Sequence, residues 1–206
     1  MTPTREATVY VVDDDDAVRD SLLLLLDVKG YAAEGFASAD AFLEAVAADW
    51  GGCLLLDLRM PGTSGLELQA ALTERGIRLP IIVISAHGDV ATARTAFKAG
   101  AVDFLEKPLD ETTLIAAVVA ALDRDRLRRE HAAASAGLEE RLARLSTRER
   151  EVMWLVADGR QNRDIAASLG LSPRTVEIYK ARMMEKLQLR GLPDLLQAVK
   201  LLRRNA

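Results

Sequence analysis

Cysteine is almost absent from these 206 residues: Cys53 stands alone, so neither an internal disulfide nor a cysteine-built zinc site can form. A small buried hydrophobe is the expected role of that thiol. Long apolar runs are missing too. The longest, residues 114–122, spans nine residues, about half of what crosses a bilayer, and the first residues lack the basic-then-apolar order of an export signal. The expectation is a cytoplasmic protein with no membrane partner. Aromatics number only nine, yet half of the residues are hydrophobic and 28% charged, so the chain can bury a core and is neither disordered nor collagen-like. Its length allows one large domain or two small ones.

Excess charge of either sign is also slight, net −4, but it is unevenly spread. Residues 1–123 hold nine Lys+Arg against twenty Asp+Glu, net −11, and residues 124–206 hold eighteen against eleven, net +7. That asymmetry predicts two modules with different partners, covering residues 1–123 and 142–206, which attract one another electrostatically; docking of the basic module on the acidic one is expected to restrain it. Residues 124–141 between them are rich in Ala, Glu and Arg and read as a helical linker, with Gly137 the one interruption. Leu127, Leu138, Leu142 and Leu145 also offer a short coiled-coil seam to a second copy, over too few heptads to require one.

The acidic module alternates strand and helix. Short β-branched or apolar runs at residues 9–12, 32–36, 53–56, 81–84 and 102–105 are separated by helical patterns, among them residues 38–49, begun by the Ser38 hydroxyl, and residues 90–99. Strands apolar throughout are covered on both faces, so the fold class is α/β, a doubly wound five-stranded parallel sheet, followed by a small all-α domain. In such sheets ligands sit at the carboxyl ends of the strands. There stand Asp13 and Asp14, Asp57, Ser85 and Lys107. Carboxylates gathered in one crevice repel one another by several kcal/mol, about 4 kcal/mol per pair at 4 Å and an effective dielectric of about 20, so a divalent cation or protons must compensate. All-oxygen donors favour Mg²⁺. Asp57, alone after the central strand, is the natural nucleophile for an aspartyl phosphate; Lys107 and Ser85 are placed to meet phosphate oxygens. Asp15 and Asp16 suit helix capping better than metal binding.

Val-Val-Asp13-Asp14, Asp57 with Met60-Pro61-Gly62, Ser85 and Lys107-Pro108 resemble the receiver (flavodoxin-like) domain of two-component response regulators. The resemblance implies that Asp13, Asp14, Asp57 and the Arg59 main-chain carbonyl hold Mg²⁺ and that Asp57 is the phosphoacceptor. Ser85 and Lys107 would sense the phosphate, Phe104 would be the switch aromatic, and Lys107–Pro108 a cis peptide. By the same resemblance, Arg59 and His87 would occupy the positions that tune the phosphoryl group's lifetime.

The basic module shows no strand pattern. Ser146-Thr-Arg-Glu149 is a capping box, and Val152, Leu155 and Val156 face inward from the helix it opens. A second helix after Asn162 is closed by Gly170, and Ser172-Pro173 starts a third, the spacing of a helix-turn-helix. At about 100° per residue, Val176, Tyr179, Met183 and Leu187 fall on the core side. Arg174, Ile178, Ala181 and Glu185 lie opposite, flanked by Glu177 and Arg182. Arg can pair with guanine, Glu177 can accept from cytosine, Ile178 or Ala181 can touch a thymine methyl, and Lys180 can reach a phosphate. Thr175 completes the DNA-facing set.

The runs starting at Leu145, Asn162 and Ser172 resemble the LuxR/NarL/FixJ group of DNA-binding domains, most nearly its FixJ type. The two resemblances together imply a transcription factor controlled by phosphorylation. A sensor histidine kinase would modify Asp57, shift Ser85 and Phe104, alter the surface of the fourth and fifth helices, and so promote homodimerisation on promoter DNA, with RNA polymerase a further candidate partner. The helix at residues 193–202, with Leu195, Val199 and Leu202 in one stripe, would serve dimerisation, and packing on the helix-turn-helix is compatible with that. Such a protein is no enzyme beyond phosphorylating and dephosphorylating itself. Two alternatives stay open: a DNA-binding regulator controlled without phosphorylation, and a Mg²⁺-dependent aspartyl phosphatase, one type of which carries a second acid where this chain has Arg59.

Overall fold

Strand and helix alternate through the acidic half of the computed structural model, which describes residues 7–86 and 90–205. His87 lies outside the described residues. β1 (Thr8–Val12), β2 (Ala33–Phe36), β3 (Gly52–Asp57), β4 (Ile81–Ser85) and β5 (Asp103–Glu106) form a parallel sheet in the order β2-β1-β3-β4-β5. Helices α1 (Asp16–Val28), α2 (Ala39–Ala45), α3 (Gly65–Glu74) and α4 (Val90–Lys98) connect the strands, and α5 (Glu111–Ala143) follows β5. Because successive side chains of a strand point to opposite faces, the sheet serves two cores. Val9, Val11, Cys53, Leu55, Ile82 and Ile84 pack with Leu22 and Leu26 of α1 and Leu114 and Val118 of α5. Tyr10, Val12, Leu54, Leu56 and Val83 pack with Phe42, Leu68 and Ala96 of α2, α3 and α4.

The predicted helix at 38–49 starts as expected, with Ser38 Oγ accepting from Ala41 N at 3.1 Å, but stops at Ala45. Val46 turns extended (ψ 133°), and Trp50 stacks on Tyr10 with ring centroids 4.6 Å apart. That aromatic contact rewards the chain for leaving the helix. Strand five sits one residue later than its apolar run suggested. Gly137 does not interrupt α5, because its helix-breaking cost of about 1 kcal/mol is offset by burial of Leu138 beside it.

Contacts divide the chain into two units, Met1–Arg128 and Arg129–Ala206, so the division falls inside α5. The second unit holds the end of α5 with α6 (Thr147–Ala157), α7 (Asn162–Leu169), α8 (Pro173–Leu187) and α9 (Leu192–Asn205). Leu138 and Leu145 are buried in its own core with Val152, Ile165, Val176 and Met183, and Leu142 packs against them. Leucines so used are not free to form a coiled-coil seam, and only Leu127 of the predicted set is among the exposed large hydrophobics. The α9 stripe packs inward, as a helix resting on the helix-turn-helix would: Leu195 and Val199 are buried and Leu202 packs on the same core, and the exposed leucines of that helix are Leu192 and Leu196. None of the described helices is long and apolar enough to cross a membrane.

Candidate functional site

Sheet order and register build the first site. β1 lies beside β3 with Val12 opposite Leu56, so Asp13 and Asp57, the next residues along each strand, emerge together where the strand order reverses. Asp13 (1% exposed) and Asp57 (8%) are buried and Asp14 is exposed, and one oxygen from each lies within 4.8 Å of the others. Lys107, just past the end of β5, donates from Nζ to Asp13 Oδ2 at 2.8 Å and to Asp57 Oδ2 at 2.6 Å. The free sides of both carboxylates are held by backbone. Asp15 N donates to Asp13 Oδ1 and Arg59 N to Asp57 Oδ1, each at 3.0 Å.

Charge states follow from this geometry. Burial pushes the Asp13 carboxyl above its ordinary range, against the pull of Lys107 and the Asp15 amide. Burial pulls the Lys107 ammonium down, but its hydrogen bonds to Asp13 and Asp57 outweigh that and hold it above the ordinary lysine value. Three carboxylates against one ammonium leave a surplus of negative charge, and oxygen donors at this spacing suit a small hard cation.

The remaining predicted residues lie at the same end of the sheet. Ser85 is buried at the last position of β4, paired in register with Glu106. Phe104 is half-buried on β5 and packs on the α2–α4 side. Arg59 points its side chain to solvent, and the Lys107–Pro108 peptide is cis. Asp15 caps α1, accepting from Ala17 N and Val18 N, and Asp16 pairs with Arg19. No local sequence pattern marks Arg19 as part of the site. Its guanidinium also donates to the Asp13 carbonyl at 2.8 Å, fixing the loop that carries the acids.

The second site lies on α7 and α8. Gly170 (φ 67°) ends α7 in the left-handed conformation, and Ser172 Oγ caps α8 by accepting from Thr175 N at 3.1 Å. Val176, Met183 and Leu187 are buried and Tyr179 is half-buried. Arg174, Glu177, Ile178, Ala181 and Arg182 are exposed on the other side of the helix. Thr175 is half-buried, its hydroxyl 2.8 Å from Ser172 Oγ. Lys180 is also half-buried and donates to Asn162 Oδ1 at 3.0 Å, tying α8 to the start of α7. Glu149 closes the capping box on Ser146 and, while buried, accepts from Lys186 Nζ at 2.6 Å. Burial works to raise this carboxyl, but the Lys186 and Ser146 hydrogen bonds hold it below the ordinary glutamate range.

The family model for the response regulator receiver domain matches residues 9–119, and that for bacterial regulatory proteins of the luxR family matches residues 143–199. The transcriptional regulatory protein FixJ of Azorhizobium caulinodans is 48% identical, over 92% of this chain and 90% of its own. Nodulation protein W of Bradyrhizobium diazoefficiens is 45% identical, over 93% of this chain and 85% of its own. Among solved structures, the response regulator StyR matches with a TM-score of 0.83 and 41% identity, covering 94% of this chain and 98% of that one.

Proposed function

The chain belongs to the response regulators that join a receiver domain to a LuxR-type DNA-binding domain, and from that membership we propose that a sensor histidine kinase phosphorylates Asp57 and thereby controls sequence-specific DNA binding. The observation that carries the reading is the convergence of Asp13, Asp14 and Asp57 within 4.8 Å, with Lys107 bridging Asp13 and Asp57. An Asp57 carboxylate oxygen attacks the phosphorus of a phosphohistidine; the O–P bond forms, the N–P bond breaks, and the imidazole leaves with the electron pair. Asp57 Oδ1 is held by the Arg59 amide, which fixes the carboxylate before attack. Asp13, Asp14, Asp57 and the Arg59 main-chain carbonyl would hold Mg²⁺, which when bound neutralises the carboxylates and the incoming phosphoryl oxygens. Lys107 and the Ser85 hydroxyl then meet phosphoryl oxygens, and Phe104 follows Ser85.

The consequence at DNA is a homodimer whose two copies of α8 meet two half-sites. Arg174, Glu177, Ile178, Ala181 and Arg182 are the base-reading candidates, supported by their shared exposed face; Thr175 and Lys180 contribute at the backbone. The outcome is activation of transcription with RNA polymerase as a further partner, and the chain performs no chemistry beyond its own phosphorylation and dephosphorylation.

Asp57→Asn tests the reading. The variant is expected to lose labelling by acetyl phosphate and the phosphodonor-induced gain in operator affinity while keeping basal DNA binding. Labelling at one equivalent per chain sinks the assignment of Asp57, and wild-type binding indifferent to phosphodonor supports control without phosphorylation instead.

A further inference from the structure

At the opposite end of the sheet from Asp57, the first unit has a cleft of about 520 Å³ under the amino ends of β4 and β5. That is within the usual range of small-molecule sites, about 300–1,000 Å³. Its apolar wall includes Leu79, Ile81 and Val102, and three arginines line it: Arg78 from the loop after α3, and Arg124 and Arg128 from α5. Among the described residues the lining contains no Asp or Glu. This is unexpected in a unit whose charge is otherwise so acidic.

The nearby acids of α5 leave Arg78 and Arg124 unanswered. Asp123 pairs with Arg126 at 3.3 Å. Asp125 is buried and accepts from the Gly52 amide at 2.9 Å and from Arg128. Arg78 and Arg124 make no hydrogen bond or ion pair with the described residues. A cation just past a helix C-terminus answers the helix dipole, which accounts for Arg78 after α3. It does not account for Arg124, thirteen residues into a helix that runs from Glu111 to Ala143. Two unpaired guanidiniums and a partly engaged third, set around an apolar wall, are complementary to a ligand with one anionic group on an apolar body, because guanidinium donors match carboxylate and phosphate oxygens.

We propose that this cleft is a binding site for a small soluble amphiphile carrying a phosphate or carboxylate on an apolar body. The anion sits between Arg78 and Arg124, the apolar body lies on Leu79, Ile81 and Val102, and occupancy links the loop after α3 to α5.

The test is calorimetric titration of the full chain with octyl phosphate, inorganic phosphate, octanol and phosphatidate vesicles, on wild type and on the double variant Arg78→Glu/Arg124→Glu. Both side chains are exposed, so the variant is expected to keep the wild-type circular dichroism and melting temperature. Wild type is expected to bind one octyl phosphate per chain, about tenfold or more tighter than either fragment, and the double variant to lose about tenfold or more. Octyl phosphate binding no tighter than inorganic phosphate, equal binding by the variant, or binding only to phosphatidate vesicles and not to soluble octyl phosphate would each overturn the proposal.

Discussion

Lys107 illustrates how much one side chain settles in this receiver. Its ammonium lies between Asp13 and Asp57, so the negative charge of the proposed phosphoacceptor is balanced in part, and under that proposal the same cation is in place to meet the phosphoryl group. Gln69 is the opposite case. It lies on α3, fully buried, and neither its carboxamide oxygen nor its nitrogen has a hydrogen-bond partner among the described residues. Leaving such groups unpaired costs about 1–3 kcal/mol, and methionine has nearly the same length without the polar atoms. Gln69→Met is therefore expected to stabilise the first unit by about 1–2 kcal/mol. Urea unfolding followed by Trp50 fluorescence in a Trp154→Phe background reads this directly, since these are the two tryptophans of the chain. A lower unfolding midpoint would show that the carboxamide has a partner in solution.

Between elements, the pair to test is Glu149 with Lys186, because it joins the start of α6 to the last turn of α8, the helix proposed to read DNA. The Glu149 carboxyl is held below its ordinary value of 4.5. A carboxyl whose folded value is depressed contributes stability that is fully present above the unfolded value and is lost as pH falls through the folded one. The second unit is therefore expected to lose stability below pH about 4.5, followed by Trp154 fluorescence in a Trp50→Phe background. Lys186→Met should cost about 2 kcal/mol at neutral pH, less than the 3–5 kcal/mol of a fully buried pair because Lys186 is 40% exposed. It should also abolish or reverse the acid loss, since burial then acts on Glu149 without its cation. The capping box half of this arrangement is legible in the sequence, as are the strand runs, the Gly170-Ser172 turn and the order of the site residues, because all of these are written in neighbouring positions. Lys186 is 37 residues from Glu149 and Asp125 is 73 from the Gly52 amide it accepts from. No local pattern encodes such partners. On α9 the same limit applies: periodicity finds two apolar sides on that helix, and only packing decides that Leu195 and Val199 face the core while Leu192 and Leu196 face outward.

Over the whole molecule, the charge asymmetry changes size once the structural division replaces the compositional one. Cutting after Arg128 gives the first unit twelve Lys+Arg against 21 Asp+Glu, net −9, and the second fifteen against ten, net +5. Two positive charges thus pass to the acidic unit, because Arg124, Arg126 and Arg128 move with the single acid Asp125, and two of those arginines line the cleft under β4 and β5. The remaining asymmetry still bears on DNA binding. A net +5 unit is drawn to the phosphate backbone, and a covalently attached −9 unit raises the electrostatic cost of bringing it there. The second unit has its own buried core and is expected to fold alone, so residues 129–206 can be compared with the unphosphorylated full chain on the same operator. The fragment is expected to bind more tightly, with the largest advantage near 0.01 M salt, where the Debye length is about 30 Å, and a smaller one at 0.15 M, where it is about 8 Å. Gel-shift titrations at the two salt concentrations measure this. An advantage that does not shrink with salt would assign the restraint to specific packing rather than to net charge, and no advantage at either would mean that the acidic unit leaves DNA binding unaffected until it is phosphorylated.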